Sequence, residues 1–219
     1  MKLNKIPATI VTGFLGSGKT TLLSTVLKQA AGKRIAVIVN EFGELDIDAD
    51  LLRSCPLDCD DENESAELAA GKNGIYELAN GCICCTVADD FIPTIEALMG
   101  LDPQPDHILI ETSGLALPKP LLKAFDWPAI RSRITVDGVI ALADAEAVAA
   151  GRFAPNVAAV DAQRAADESI DHETPLSEVF EDQMSCADII LLTKPDLAGA
   201  DGVAAARAAI AAKARRPLP

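Results

Sequence analysis

Residues 13–20 read GFLGSGKT, and this stretch decides the fold because it fits the pattern G-x-x-x-x-G-K-[ST] at every required position. In such a phosphate-binding loop, or P-loop, the glycines let the backbone approach a phosphate, and the amide N–H groups point inward around it. We expect Lys19 to reach the β- and γ-phosphate oxygens and the Thr20 hydroxyl to bind Mg²⁺. The predicted nucleotide-binding residues of the loop are Gly13, Gly16, Ser17, Gly18, Lys19, Thr20 and Thr21.

The segments on either side of the loop have the character that this motif requires. Residues 6–12 (IPATIVT) are apolar and rich in β-branched side chains, as expected for a buried parallel strand. In residues 21–33 (TLLSTVLKQAAGK) the leucines and the valine recur at helical spacing. Strand, glycine loop and helix are the context in which the motif binds phosphate.

Further strand and helix patterns alternate along the chain. The predicted strands after the first are residues 34–40, 75–79, 107–111, 135–143 and 187–193. The predicted helices lie near residues 17–31, 87–100, 117–125, 157–166, 174–186 and 201–215. This alternation predicts a three-layer α/β fold of the P-loop type, with a mostly parallel sheet and helices on both faces. Ligands of such sheets bind beyond the carboxyl ends of the strands, where every motif described below lies.

The composition limits the classes of protein to which the chain can belong. Its 219 residues are most simply one domain, and a net charge of −14 argues against sequence-independent binding of nucleic acid. No apolar run reaches the roughly 18 residues of a membrane span, and the first residues do not resemble a cleavable signal. Six cysteines without such a signal indicate the reducing cytoplasm. Residues 55–74 are acidic and polar, so we expect an exposed, mobile insertion there.

A second nucleotide signal, Thr193-Lys194-Pro195-Asp196, follows the last predicted strand. In GTP-binding proteins the Asp of an N/T-K-x-D element accepts hydrogen bonds from N1–H and the exocyclic amino group of guanine, and the Lys lies along the base. Adenine offers no such pair of donors, so Thr193, Lys194 and Asp196 predict selection of GTP. The alternative is an ordinary strand followed by a proline that begins a helix.

Two acidic segments follow other predicted strands. The strand at residues 107–111 (HILIE) ends in Glu111, which is predicted to lie near Mg²⁺, and Gly114 is predicted to bring its N–H to the γ-phosphate. The segment NEFGE at residues 40–44 follows the second strand, where Glu41 is a candidate for positioning water or Mg²⁺. For Glu111 the alternative is an ordinary carboxylate at a strand end, and for Glu41 it is a solvated acidic loop.

Three thiols lie within four residues in the segment NGCICCT, at Cys82, Cys84 and Cys85. Thiolates are soft ligands that suit Zn²⁺, Co²⁺ or Cu⁺, and three of them are too few for a closed structural zinc site. Such an incomplete site suits a metal that must later leave. Cys55 and Cys59 are candidate accessory ligands. The alternative for each cysteine is a small buried apolar residue, which we favour for Cys186, and we expect structural or solvent-facing roles for His107 and His172.

The motifs together resemble the CobW family of metal-handling P-loop GTPases. TGFLGSGKTTLL, NEFGE, ELANGCICCTV, the strand followed by ETSG, and LLTKPD occur in the order found in that family, over roughly residues 5–197. Stretches such as DDFIPTIEAL and VDGVIALADA look most like its cobalamin-biosynthesis branch.

The resemblance implies a GTP-hydrolysing metallochaperone with Mg²⁺ at Thr20 and Glu111, in which Lys19, Glu41 and Glu111 serve catalysis. Its cargo would be a divalent metal at Cys82, Cys84 and Cys85: Co²⁺ for this branch, with zinc or nickel as alternatives. The partner would be a metal-acceptor protein, with a cobalt-chelatase complex as one candidate. The family normally continues into a C-terminal domain, so we expect residues 1–219 to be the GTPase domain alone.

Two rival functions remain open at this stage. A P-loop kinase for a small molecule would explain GFLGSGKT but not TKPD or the cysteines, and a non-enzymatic zinc-binding protein would have metal affinity indifferent to GTP. We expect GTP and Mg²⁺ to order the loops after the strands, so that closure assembles the metal ligands and hydrolysis releases them. The sequence does not select the metal, because Zn²⁺ outbinds Co²⁺ at most thiolate sites. The oligomeric state and the catalytic base also stay open.

Overall fold

The structure, a computed structural model, describes residues 5–30, 32–40, 70–71, 75–78, 91–166 and 174–213. Within them lies one seven-stranded sheet in the order β3-β4-β2-β5-β1-β6-β7. Every neighbouring pair is parallel except β3 with β4 at one edge. The strands are β1 Ile6–Gly13, β2 Ile35–Asn40, β3 Ala70–Gly71, β4 Ile75–Leu78, β5 His107–Glu111, β6 Ile134–Asp144 and β7 Ile189–Thr193. The predicted mostly parallel α/β sheet is confirmed.

One strand lies inside the segment that we expected to be a polar insertion. Ala70 and Gly71 form β3, which pairs antiparallel with β4 at the sheet edge. Two small residues give too short an apolar pattern for sequence periodicity to detect a strand. The remainder of residues 55–74 lies outside the described residues, so its expected exposure and mobility remain predictions.

Eight helices occur in the described part of the chain. They are α1 Lys19–Gln29, α2 Ile92–Gly100, α3 Pro118–Ala124, α4 Pro128–Arg131, α5 Ala145–Ala149, α6 Val157–Ala166, α7 Leu176–Cys186 and α8 Pro195–Lys213. Helix α8 begins at Pro195 rather than near residue 201, because proline at a first helical position already has the φ of a helix. Gly199, with φ of 68°, interrupts it. Helices α4 and α5 were missed because four or five residues are too few to show a helical period.

Helices cover both faces of the sheet, as predicted. On one face, α1 places Leu23 and Leu27 against apolar residues of β1, β2 and β5. On the other face, Phe91 and the apolar residues of α2, α3 and α4 pack against Ile10, Ile38 and neighbouring strand residues. Further along that face, α7 and α8 pack around Phe14, the second residue of the P-loop. Because both faces of the central strands are buried, those strands read as continuous apolar runs.

The described helices include none with the length and apolarity needed to cross a lipid bilayer.

Candidate nucleotide-binding site

The P-loop connects β1 to α1 through glycines whose backbone conformation other residues rarely adopt. Gly13 has φ of 139°, and a Cβ there would lie only 2.4 Å from the carbonyl oxygen of Leu142. Gly18, with φ of 96°, precedes the first turn of α1, which has neither a side-chain cap nor an acidic residue. Within the described part of the chain, no side-chain acceptor caps the first amide N–H groups of α1, which suits an anionic ligand.

Lys19 places its ammonium group inside the curve of this loop. Its Nζ donates hydrogen bonds to the carbonyl oxygens of Gly13 at 2.8 Å and Phe14 at 3.3 Å. Burial lowers the pKa of Lys19, and the nearby Glu111 carboxylate opposes that shift. Two neutral carbonyls compensate a buried cation poorly, so phosphate oxygens would be much stronger partners.

Thr20 and Glu111 form the candidate Mg²⁺ site. The Thr20 hydroxyl donates to Glu111 Oε1 at 3.4 Å, and Glu111 Oε2 is buried with no hydrogen-bond partner among the described residues. Burial raises the pKa of the Glu111 carboxyl, whereas Lys19 and the Thr20 hydroxyl lower it. A hydroxyl beside a carboxylate with one uncommitted oxygen is the hard oxygen donor set that Mg²⁺ prefers, so the residues fit that ion.

The loop after β5, residues 112–117, packs directly against the P-loop. Residues 111–116 are all buried, and a Cβ on Gly114 would lie 2.8 Å from the backbone nitrogen of Leu15. The carbonyl oxygens of Gly114 and Ala116 each accept a hydrogen bond of 3.1 Å from the side-chain amide of Gln183, a fully buried residue of α7. These contacts anchor the loop to α7 and to the P-loop. We accordingly no longer expect it to be among the loops that GTP orders.

The TKPD element after β7 is attached to the other side of the P-loop. The Thr193 hydroxyl donates to the carbonyl oxygen of Ser17 at 2.8 Å and lies 3.3 Å from that of Ala143. Lys194 Nζ donates to the carbonyl oxygen of Gly16 at 2.7 Å. Thr193, which stands where asparagine is commoner, thus links the strand end to the P-loop through its hydroxyl.

Asp144 is a second partner of Lys194. Its Oδ2 lies 2.8 Å from Lys194 Nζ, and its Oδ1 accepts a 2.9 Å hydrogen bond from the backbone N–H of Ala147 at the start of α5. Burial by itself would raise the pKa of Asp144, but the adjacent Lys194 ammonium group and the hydrogen bond from the Ala147 N–H hold it below its ordinary value. The carboxylate is thus kept charged beside the lysine.

The structure brings most of the predicted residues to one edge of the sheet, beyond the carboxyl ends of β1, β5 and β7. Thr21 is exposed on α1, and Asp196 is exposed in the first turn of α8. The roles assigned to all these residues stay predictions. Several candidate residues lie outside the described part of the chain, namely Glu41, Cys82, Cys84, Cys85, Cys55, Cys59 and His172.

Two further expectations concern isolated residues. Cys186 is half-buried at the end of α7 rather than fully buried. His107 Nε2 forms a 2.8 Å hydrogen bond with the Thr9 hydroxyl on the neighbouring strand, which fits the structural role expected for it. Among the described residues, no three His, Cys, Asp or Glu side chains cluster closely enough to hold a metal ion.

Sequence reasoning missed Gln183 and Asp144. Gln183 lies on the buried stripe of α7 with Val179, Phe180 and Met184. A polar residue at an apolar helical position was the available signal, because buried polar groups need specific partners. Asp144 ends a strand and precedes a short helix, which is a pattern typical of an N-cap residue but not of an ion pair.

The family of nucleotide-binding domains described as CobW/HypB/UreG matches residues 7–218. The chain belongs to this CobW/HypB/UreG family. The match covers every helix assigned above and the described sheet apart from Ile6, the first residue of β1.

Individual proteins also resemble the chain over nearly its full length. It is 54% identical to a zinc chaperone, CobW, of Sinorhizobium sp, over 97% of this chain and 57% of that protein. It is 34% identical to zinc-regulated GTPase metalloprotein activator 1 of Schizosaccharomyces pombe, over 95% of this chain and 43% of that protein. The crystal structure of the Zn(II)-bound YjiA GTPase from E. coli superposes with a TM-score of 0.59 at 28% identity, over 95% of this chain and 54% of that one. The chain thus spans about half the length of these relatives.

Proposed function

We propose that this domain hydrolyses GTP and uses the hydrolysis to control the binding and release of a divalent metal. The observation that carries the GTP assignment is the direct attachment of the TKPD element to the P-loop. Thr193 and Lys194 reach the carbonyl oxygens of Ser17 and Gly16 at 2.8 and 2.7 Å. A base-reading element would then be held at a fixed distance from the phosphate-binding loop, an arrangement that a kinase without base selection does not require.

Each group of residues in the site would have a separate role in hydrolysis. The P-loop amides and Lys19 would hold the β- and γ-phosphates, and the anchored loop after β5 would offer the Gly114 N–H to the γ-phosphate. Water attacks the γ-phosphorus, the bond to the β–γ bridging oxygen breaks, and GDP and phosphate leave. Mg²⁺, held by Thr20 and Glu111, would supply positive charge to the phosphates. Glu41 remains our candidate for positioning the water.

Guanine would be read by Asp196 at the first turn of α8. Its side chain is exposed, so it can accept the two guanine donors without rearrangement of a packed core. Lys194, held against Gly16, would lie along the base.

The proposed metal site is formed by Cys82, Cys84 and Cys85, with zinc as cargo. The names of the relatives support zinc, since the CobW protein of Sinorhizobium sp is called a zinc chaperone and the yeast relative is zinc-regulated. Cobalt, expected from the cobalamin-biosynthesis branch, becomes the alternative cargo. A cobalt chelatase would be the acceptor only if cobalt is the cargo. The reducing cytoplasm remains the compartment in which we expect these thiols to work.

The test measures the affinities of the purified protein for Zn²⁺ and Co²⁺ with Mg-GTP, with Mg-GDP and without nucleotide, by competition with a chromophoric chelator. We expect Mg-GTP to raise metal affinity about 5–150-fold over Mg-GDP and, by linkage, the metal to tighten GTP binding by the same factor. Cys84→Ser should erase this coupling, whereas Cys186→Ser, a thiol of α7, should preserve it. Equal metal affinity in all three states would favour a zinc-binding protein without a nucleotide switch.

A further inference from the structure

Asp144 divides its two carboxylate oxygens between different partners. Only 1% of the residue is exposed. Oδ1 accepts a 2.9 Å hydrogen bond from the Ala147 N–H and caps α5, while Oδ2 lies 2.8 Å from Lys194 Nζ. The residue therefore connects the end of β6 both to the short helix α5 and to the TKPD element on the neighbouring strand.

Capping α5 does not require the negative charge of Asp144. Asparagine and serine cap helices about as well as aspartate, and α5 is only five residues long. A buried carboxylate loses its hydration, and that loss is offset only when a cation and hydrogen-bond donors replace the water. The one cation that contacts this carboxylate in the described part of the chain is Lys194. The charge of Asp144 is thus directed at the lysine.

Lys194 has a backbone conformation that must be held in place. Among the described residues, Lys194 is the only one other than glycine with a positive φ, which is 54°. The left-handed region disfavours residues with a Cβ, so surrounding contacts have to maintain it. Two contacts meet on its Nζ, namely the Gly16 carbonyl at 2.7 Å and Asp144 at 2.8 Å. The Lys194 carbonyl in turn accepts from the Leu197 N–H at 3.1 Å, in the first turn of α8.

We propose that Asp144 is a positioning residue for base selection. By holding the Lys194 ammonium group against the Gly16 carbonyl, it fixes the left-handed turn from which α8 starts. That turn sets the position of Asp196, two residues further on, relative to the base. This inference rests on the proposed reading of guanine by TKPD and adds the buried residue on which that reading depends.

The decisive variant is Asp144→Asn, because asparagine still accepts from Ala147 and caps α5 but cannot pair with the lysine as an anion. Affinities for GTP, GDP and ATP are measured by fluorescence competition, together with the melting temperature. We expect GTP and GDP to bind about tenfold more weakly, since the half-exposed Lys194 ammonium group loses the charged partner that holds it against the Gly16 carbonyl. We expect ATP affinity to stay unchanged, so that the GTP preference falls by the same factor. The retained cap should keep the melting temperature close to that of the parent.

A double-mutant cycle separates action through the lysine from general damage. If Asp144 acts through Lys194, Asp144→Asn adds nothing to Lys194→Met, because the amine that it positions is already absent. Additive losses, equal losses for GTP and ATP, or an unchanged GTP preference would each overturn the proposal. If Asp144→Asn does not fold, Lys194→Met alone decides, since a full guanine preference without the amine also overturns it.

Asp196→Asn separates this inference from the proposed function. Asp196→Asn could lose guanine preference and gain affinity for the xanthine nucleotide while Asp144→Asn has no effect. That outcome would refute the role of Asp144 but keep base reading by TKPD. No change in Asp196→Asn would refute base reading by TKPD, and with it both the guanine assignment and the role of Asp144.

Discussion

The loop after β5 and the loop after β7 flank the same P-loop, but they are attached to it in different ways. After β5, residues 112–116 are all buried, and the contact of Gly114 with Leu15 is close backbone packing. After β7, residues 195–197 are exposed, and the contacts with the P-loop come from the side chains of Thr193 and Lys194. The phosphate end of the site is therefore part of the core, whereas the base end is a surface element held by a few polar contacts.

Because of this difference, we expect substitutions at the two ends of the site to have different effects. A buried, hydrogen-bonded loop needs no reorganisation when charge develops on the γ-phosphate, which is the condition for electrostatic catalysis. A surface element held by side chains can change its base preference through single substitutions without loss of the fold. Substitutions at the phosphate end should therefore change hydrolysis and stability, and those at the base end should change nucleotide choice.

The largest effect is expected for Lys19→Ala, at the phosphate end. It removes the cation that faces the phosphates, and loss of one such charge-stabilising group costs about 10²–10³-fold in turnover. GTP hydrolysis, followed by phosphate release, should fall by that factor or more, while guanine preference persists because the base end is untouched. Lys28→Ala, an exposed lysine on the same helix, is the matched control. Undiminished turnover in Lys19→Ala would contradict the assignment of the P-loop.

A smaller effect is expected for Gln183→Met, which keeps the length of the side chain but removes its donors. The carbonyl oxygens of Gly114 and Ala116 would lose their 3.1 Å hydrogen bonds inside the core. We expect the free energy of unfolding to fall by about 1–3 kcal/mol, and GTP to bind more weakly while GDP, which lacks the γ-phosphate, does not. Denaturant unfolding and nucleotide competition measure both quantities.

The exposed Gln104, which donates to the Met99 carbonyl, provides the control for that experiment. Gln104→Met should change stability by no more than about 0.5 kcal/mol. Equal weakening of GTP and GDP by Gln183→Met would mean that the loop after β5 does not contact the γ-phosphate, and the contrast between the two ends would lose its functional meaning.

The sequence predicted the strands around the P-loop because local patterns encode them. Residues 107–111 were assigned to their strand with the correct bounds, and GFLGSGKT located the phosphate end. Gln183 and Asp144 were not predicted because their roles depend on partners that are distant in sequence. The partners of Gln183 are 67 and 69 residues away, and the partner of Asp144 is 50 residues away. Helical or strand periodicity reports whether a position is buried, but not which distant carbonyl or ammonium group compensates a buried polar side chain. The roles of the predicted cysteines remain predictions.

The smallest effect concerns the pH dependence of stability at the phosphate end. Burial raises the pKa of Glu111 above its ordinary value of 4.5, and Lys19 and Thr20 only oppose that rise. The folded protein therefore holds this proton more tightly than the unfolded chain does. Stability from this group is present below the ordinary pKa and is lost as the pH rises through the raised, folded-state pKa.

Glu111→Gln removes this titration while preserving the shape of the side chain. Without nucleotide or Mg²⁺, we expect the difference in unfolding free energy between Glu111→Gln and the parent to shift in favour of the variant as the pH rises from about 4.5 through the folded-state pKa, and then to level off. Urea unfolding across a series of buffers measures that difference directly. A difference that stays flat, or that shifts in favour of the parent as the pH rises, would show that the carboxylate is ionised at no cost in the folded protein. The phosphate end would then be no more buried, in electrostatic terms, than the base end.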